Sequence, residues 1–164
     1  LIDGGADIQM IGRRLLVMAS EDIGMAYPSA VSIVNACVQA ALMVGYPEAA
    51  VNLSQAVVLL ASAPKSNASF LAYQEALEDI RTKEIDDVPD HLKDAHYRGA
   101  DDLGLGRGYK YPHAYGGYVR QQYLPDNLYR SGVKYYRPTN NGSEASFKKF
   151  LESLEEKYGR NNQS

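Results

Sequence analysis

Four apolar stripes, each repeating every three to four residues and each cut off by glycine or proline, fill the first half of this chain and commit it to helices. Ile8, Ile11, Leu15 and Met18 form the first, with Arg13 and Arg14 on its outer face and Asp7 placed to cap it. Ser20-Glu21-Asp22-Ile23-Gly24 ends it. Pro28 suits the first turn of a second helix, striped by Val31, Val34, Val38 and Leu42 and stopped at Gly45. Its other side carries Ala30, Ala36, Ala40 and Ala41, small enough for another helix to approach closely. Pro47 and Glu48 open a third helix with Leu53, Ala56, Val57 and Leu60 on its apolar face, and Pro64 closes it. Ser66 or Asn67 caps a fourth, in which Phe70, Tyr73, Leu77 and Ile80 share a stripe while Glu75, Glu78, Asp79 and Arg81 face water. Short turns between four such helices predict an antiparallel bundle or array.

After an acidic turn, Val88-Pro89 restarts the chain, and residues 90–95 have the composition for one or two helical turns. A last helix begins at Ser143 or Glu144, with Phe147, Phe150, Leu151, Leu154 and Tyr158 on one face, and the polar tail 159–164 is expected to be disordered. No stretch calls for a strand. The expected fold is all-α, a helical bundle or array with a long ordered Tyr/Gly-rich loop before a C-terminal helix. With 164 residues, 45% of them hydrophobic, residues 1–158 are expected to be one domain with a real core.

No apolar run approaches the roughly 20 residues of a membrane-spanning helix, and no signal-peptide pattern opens the chain, so a cytoplasmic protein is expected. The abrupt start, without Met, predicts a fragment of a longer protein. Cys37 sits among Val34, Ala36, Val38 and Ala41, the setting of a buried, inert thiol. A net charge of −3 argues against a protein whose whole surface grips nucleic acid.

The charge is unevenly spread, and the stretch 96–138 breaks the helical pattern. Nine of the thirteen tyrosines lie between Tyr97 and Tyr136, among Gly, Pro, Lys and Arg, with no apolar period of either kind. Arg98, Arg107, Lys110, Arg120, Arg130, Lys134 and Arg137 outnumber Asp101, Asp102 and Asp126 there. Two readings stand side by side. Tyr109, Tyr111, Tyr118 and His113 beside Arg107, Lys110 and Arg120 combine stacking surfaces with positive charge, as single-stranded nucleic-acid grooves do. Tyrosines and arginines of this kind also seal subunit interfaces.

Other constellations carry less. Gly104, Gly106 and Gly108 have neither a preceding strand nor a following GK[ST], so they are expected to serve turns, and the chain has no Walker A motif. His91, Asp94 and His96 bear metal-ligating groups, the basis of a metal-dependent hydrolase reading, but His96 falls off the face shared by the other two and a capping or surface role is favoured. No catalytic cluster and no metal site is therefore expected. Lys65, Ser66 and Asn67 stand at a helix start, where amide N–H groups and an ammonium can hold an anion.

Several long strings make the chain resemble a known family: Tyr109-Lys-Tyr-Pro-His113, Gly116-Gly-Tyr-Val119 and Gln121-Gln-Tyr-Leu-Pro125, preceded by Ala19-Ser-Glu-Asp-Ile-Gly24, Ala61-Ser-Ala-Pro-Lys-Ser-Asn67 and Pro89-Asp-His-Leu-Lys-Asp-Ala-His96. They resemble the C-terminal region of the replication-associated recombination protein A family, AAA+ ATPases similar to the Werner helicase-interacting ATPase and related to clamp loaders. One departure lies in the loop, where Ala114-Tyr115 leads directly into Gly116. The resemblance implies a collar-like C-terminal domain that joins subunits into a homo-oligomer, a tetramer, and is not itself an enzyme. It implies that ATP and Mg are bound by an N-terminal part bearing the Walker motifs. It further implies work at replication forks in a bacterial, nucleoid-associated setting, with single-stranded DNA, DNA ends and replication proteins as partners.

Overall fold

In a computed structural model of the chain, residues 4–93 and 106–159 are described, and every regular element among them is helical. The α-helices are α1 (Ile8–Met18), α2 (Ala30–Val44), α3 (Ala49–Ser62), α4 (Ala68–Thr82), α5 (Asp126–Ser131) and α6 (Glu144–Gly159). They belong to two compact units, Leu1–Gln74 with Tyr136–Glu152, and Glu75–Tyr135 with Ser153–Ser164, and α4 and α6 contribute residues to both. Asp94 and His96, the glycine at 104 and the tail 160–164 lie outside the described residues.

The first unit is built on α1, α2 and α3, each packed against the other two. Asp7 caps α1 as expected, its carboxylate accepting from the Gln9 and Met10 amides. Helix α1 does not end at Ser20: a π turn, Ala19–Ile23, continues it and brings Ala19 and Ile23 into the core. A 3₁₀ turn, Gly24–Ala26, then closes the corner. Gly24 has φ +48° there, and the Ser66 carbonyl lies 2.5 Å from where a Cβ would stand. Pro28 precedes α2 within a turn rather than opening it, and Gly45, at φ +71°, ends α2 as its position predicts.

The buried face of α2 keeps half of the expected stripe. Ala30, Val34, Cys37, Val38 and Ala41 are buried, whereas Val31 and Leu42 are exposed. Val34 and Val38 of the expected stripe are buried together with Ala30, Cys37 and Ala41 because α2 has neighbours on two sides, whereas Ala36 of the small face is exposed. At Gly12 of α1 an added Cβ would lie 2.5 Å from Val38 Cγ1, so that helix pair meets at a glycine. On α3 the expected Leu53, Ala56 and Leu60 are buried, and Val57 is half exposed. Fully buried Ile23, Val34 and Leu53 each stabilise the unit by about 1.5–3 kcal/mol relative to solvent exposure.

The second unit is held mainly by polar side chains. Val119 and Leu128 are its buried apolar anchors. The Gln121 amide accepts from the Lys110 N–H at 3.0 Å and donates to the Lys110 carbonyl at 2.9 Å, pairing with that backbone as a neighbouring strand would. Asn127 ties α5 to the segment after α4, donating from Nδ2 to the Glu84 carbonyl and from its amide to Asp86. Helix α5 and a 3₁₀ turn, Pro112–Tyr115, both fall inside the stretch expected to be loop. Periodicity misses α5 because six residues give it one buried side chain, Leu128.

Helix α4 also departs from its expected faces. Tyr73 and Ile80 are exposed while Asp79 is half-buried, because its carboxylate accepts from the Tyr135 hydroxyl at 2.9 Å and pairs with Lys83 at 2.8 Å. On α6, Phe147, Phe150 and Leu151 remain exposed, and the buried residue is Glu144.

Candidate functional site

The segment 106–125 carries the basic aromatic candidates, and local backbone needs explain its course. Gly106, Gly108, Gly116 and Gly117 all have positive φ, and at the last three no heavy atom comes within 4 Å of an added Cβ. Conformation rather than space calls for glycine at these positions. Pro112 sets the first residue of the 3₁₀ turn, which ends in left-handed Gly116. The turn exposes Tyr111, His113 and Tyr115, with the Tyr111 and His113 rings 5.1 Å apart.

Tyr109 is 46% exposed and Tyr111 60%, and Arg107 and Lys110 are exposed beside them. Tyr118 and Arg120 are used differently. The Tyr118 ring packs on Tyr158 of α6 at 4.9 Å, tilted by 46°. Arg120 donates from one terminal nitrogen to the Tyr158 carbonyl at 2.9 Å and the Gly159 carbonyl at 3.2 Å. A guanidinium at a helix C-terminus satisfies orphan carbonyls and meets the negative end of the dipole. The structure therefore divides the set into an outward group at 107–113 and a group docked on the end of α6.

Lys65, Ser66 and Asn67 are likewise parted. The Lys65 ammonium turns back onto the C-terminus of α3, donating to the Leu60 and Ala63 carbonyls at 2.8 Å. Ser66 is buried, and its hydroxyl oxygen accepts from the Ala68 amide at 3.3 Å at the start of α4. Asn67 is exposed, and its carbonyl accepts the first intrahelical bond, from Leu71. An anion does stand at this corner, supplied by the chain itself. Glu144 has 0% of its surface exposed, and its carboxylate accepts from the Ser66 hydroxyl, the Tyr136 hydroxyl at 2.7 Å, and the Thr139 amide and hydroxyl at 3.1 and 2.5 Å.

Burial pushes the Glu144 carboxyl up, but these four donors outweigh it and hold the group below its ordinary value. Tyr136 is displaced in the opposite direction, upward, by burial first and by its bond to Glu144 second. Around the carboxylate three chain segments are tied by hydrogen bonds to backbone carbonyls. Ser66 N–H donates to the Asp22 carbonyl at 2.9 Å, Ser143 N–H to the Ala26 carbonyl at 2.8 Å, and Asn141 Nδ2 to the Lys65 carbonyl at 2.8 Å. Gly142, at φ +51°, fits where a Cβ would stand 2.2 Å from the Ala26 carbonyl oxygen. Two of the strings that carry the family resemblance, 19–24 and 61–67, thus converge on a structural clasp.

His91 donates from Nε2 to the Gln122 carbonyl at 2.8 Å, while Asp94 and His96 fall outside the described residues. Cys37 is buried, as its neighbours predict. No helix among the described residues is long and apolar enough to cross a membrane.

Compared with known proteins, residues 1–155 match the family described as MgsA AAA+ ATPase C terminal. The chain is 51% identical over 156 residues to a replication-associated recombination protein A of Bacillus subtilis, covering 94% of this chain and 36% of that protein. To the protein of the same name in Escherichia coli it is 37% identical over 160 residues, 95% of this chain and 35% of that one. To the ATPase WRNIP1 of Dictyostelium discoideum it is 38% identical over 130 residues, 78% of this chain and 15% of that protein. The chain thus spans about a third of the length of its bacterial relatives.

Proposed function

The chain belongs to the MgsA AAA+ ATPase C-terminal family, and on that premise we propose that it is the tetramer-forming oligomerisation domain of a DNA-dependent AAA+ ATPase that maintains replication forks and acts in recombination. The observation that carries the self-association is apolar surface left open at the end of α2 and along α3. Met43 is 87% exposed, Val51 71% and Val58 64%, with Leu42, Val44 and Tyr46 also open to solvent. Monomers rarely leave so much apolar side chain in water, and buried interface cores draw on such residues.

ATP and Mg belong, in this reading, to the part of the parent outside this chain. The domain contributes assembly rather than catalysis, in the bacterial cytoplasm and in contact with the nucleoid, and its further partners are DNA ends and replication proteins. The names of the relatives support the replication setting, and the absence of a Walker A motif from the sequence supports the division of labour.

Light scattering tests the assembly. We expect a tetramer at tens of micromolar, and dissociation toward smaller species when Val51→Glu and Val58→Glu are combined. A clean monomer for the parent sequence removes the proposal.

A second reading rests on the outward group at 107–113: single-stranded DNA binds there, with phosphates on Arg107 and Lys110 and bases on Tyr109 and Tyr111. Affinity should then fall with salt at a log–log slope of about −0.7 per phosphate contact. Anisotropy of labelled single strands at two salt concentrations, comparing Lys110→Ala with the parent sequence, measures it, and no binding at low salt removes it.

A further inference from the structure

Within the second unit, a polar cavity of about 460 Å³ lies against the C-terminal end of α6, lined by Tyr118, Arg120, Lys134, Leu154, Glu155 and Tyr158 among others. Its volume is that of a small-molecule site. The lining is unusual for one, because it combines two aromatic rings with two cations. Tyr118 and Tyr158 are both half-buried and hold each other at 4.9 Å. The Lys157 ammonium sits 5.1 Å over the Tyr158 ring. Among the lining side chains Arg120 and Lys134 are cationic and Glu155 is the one carboxylate, which leaves the cavity a net positive charge.

The guanidinium of Arg120 is already immobilised. One terminal nitrogen is anchored on the Tyr158 and Gly159 carbonyls, and among the described residues the other terminal nitrogen and Nε meet no acceptor. An anchored guanidinium with N–H groups to spare recognises the planar, multiply accepting oxygens of a phosphate or carboxylate, with little side-chain ordering left to oppose binding. Lys134 is held at the same cavity by Glu155 at 2.5 Å, and both side chains are more than half exposed, so an incoming anion can take the ammonium from the carboxylate. Cations beside aromatic rings are what one nucleotide of a single strand requires: the phosphate takes the charge and the base takes the ring.

We propose that this cavity is a nucleotide pocket, taking one phosphate of a DNA single strand on Arg120 and Lys134 with its base against the Tyr118 and Tyr158 rings. The proposal rests on the single-strand reading of the neighbouring loop and adds to it a defined seat, distinct from the outward group at 107–113. Glu155 acts as a built-in competitor that the strand displaces.

The test uses the 164-residue chain and a short oligo(dT) labelled at its 3′ end, followed by anisotropy. Lys134→Gln should weaken binding about fivefold and make the salt slope shallower by about 0.7, the share of one phosphate contact. Tyr118→Leu should weaken it by between about 5-fold and 100-fold, the range of one lost stacking partner. Glu155→Gln should tighten binding two- to threefold, roughly the effect of removing one screened charge at the surface. A loss of fold cannot produce that gain. A strand carrying 5-iododeoxyuridine, irradiated and mapped by mass spectrometry, should crosslink to Tyr118 or Tyr158, and dTMP should compete better than thymidine or inorganic phosphate.

Binding that crosslinks only at 109–115, with Glu155→Gln and Lys134→Gln unchanged, overturns the pocket and leaves the loop reading standing. Failure of any strand to bind at low salt removes both. A short peptide carboxylate that competes as well as dTMP overturns the assignment to a nucleotide.

Discussion

Glu144 shows how one residue can carry more of a fold than its composition class suggests. A carboxylate with no exposed surface is tolerable only when its lone pairs are filled, and here Ser66, Tyr136 and Thr139 fill them. Glu144→Gln keeps the size but faces these donors with an amide that donates as well as accepts. We expect it to cost about 2 kcal/mol in urea unfolding at pH 7. Because the folded-state carboxyl lies below its ordinary value, its contribution is present above the unfolded value of about 4.3 and is lost as pH falls through the folded one. The gap between parent and variant should therefore close on acidification. Tyr136 acts in the opposite range. Its hydroxyl is held protonated, so the stability it lends is present below about pH 10 and lost as pH rises through its higher folded-state value, visible as late tyrosine ionisation in an ultraviolet titration. Gly12 is a second such residue. Gly12→Ala gains about 1 kcal/mol of helix propensity but drives a methyl into Val38, and we expect a net loss of about 1 kcal/mol and a lower melting temperature.

Among the elements, α1 and α3 follow their stripes, whereas α2, α4 and α6 follow theirs only in part. A stripe predicts burial only if a partner of the right shape is available. Helix α2 has partners on two sides and buries Val34 and Val38 with Ala30, Cys37 and Ala41, leaving Val31 and Leu42 outside. Helices α4 and α6 leave Tyr73, Ile80, Phe147 and Leu151 open within this chain. In the second unit the elements are joined by side-chain amides, which have no period and therefore no signature. Gln121 is the clearest case, since its amide alone pairs with the Lys110 backbone from eleven residues away. Gln121→Ala should speed hydrogen exchange of the Lys110 amide by more than tenfold while shifting the overall unfolding midpoint little, because the bonds it removes lie in an exposed segment outside the α1–α3 core.

At the scale of the molecule, helical class and family could be read in advance, while the roles of the residues within the family strings could not. The strings 19–24 and 61–67 carry the family resemblance in sequence, and in the structure they form the clasp around Glu144, with the Lys65 ammonium turned onto the end of α3. The candidates at 107–113 do face solvent, and Tyr118 and Arg120 dock on α6. By itself the sequence determined what is local or cumulative: helix formation from 3.6-residue periodicity, the stops at Gly45 and Pro64, the burial of Cys37, and kinship carried by strings spread along the chain. Only the tertiary structure decided which face of each helix is covered, which carboxylate fills the corner at Ser66, and which cations are turned onto helix ends. Those outcomes depend on contacts between residues far apart in the chain, as from Ser66 to Glu144 or from Ala26 to Ser143, and no local pattern encodes a partner at that distance.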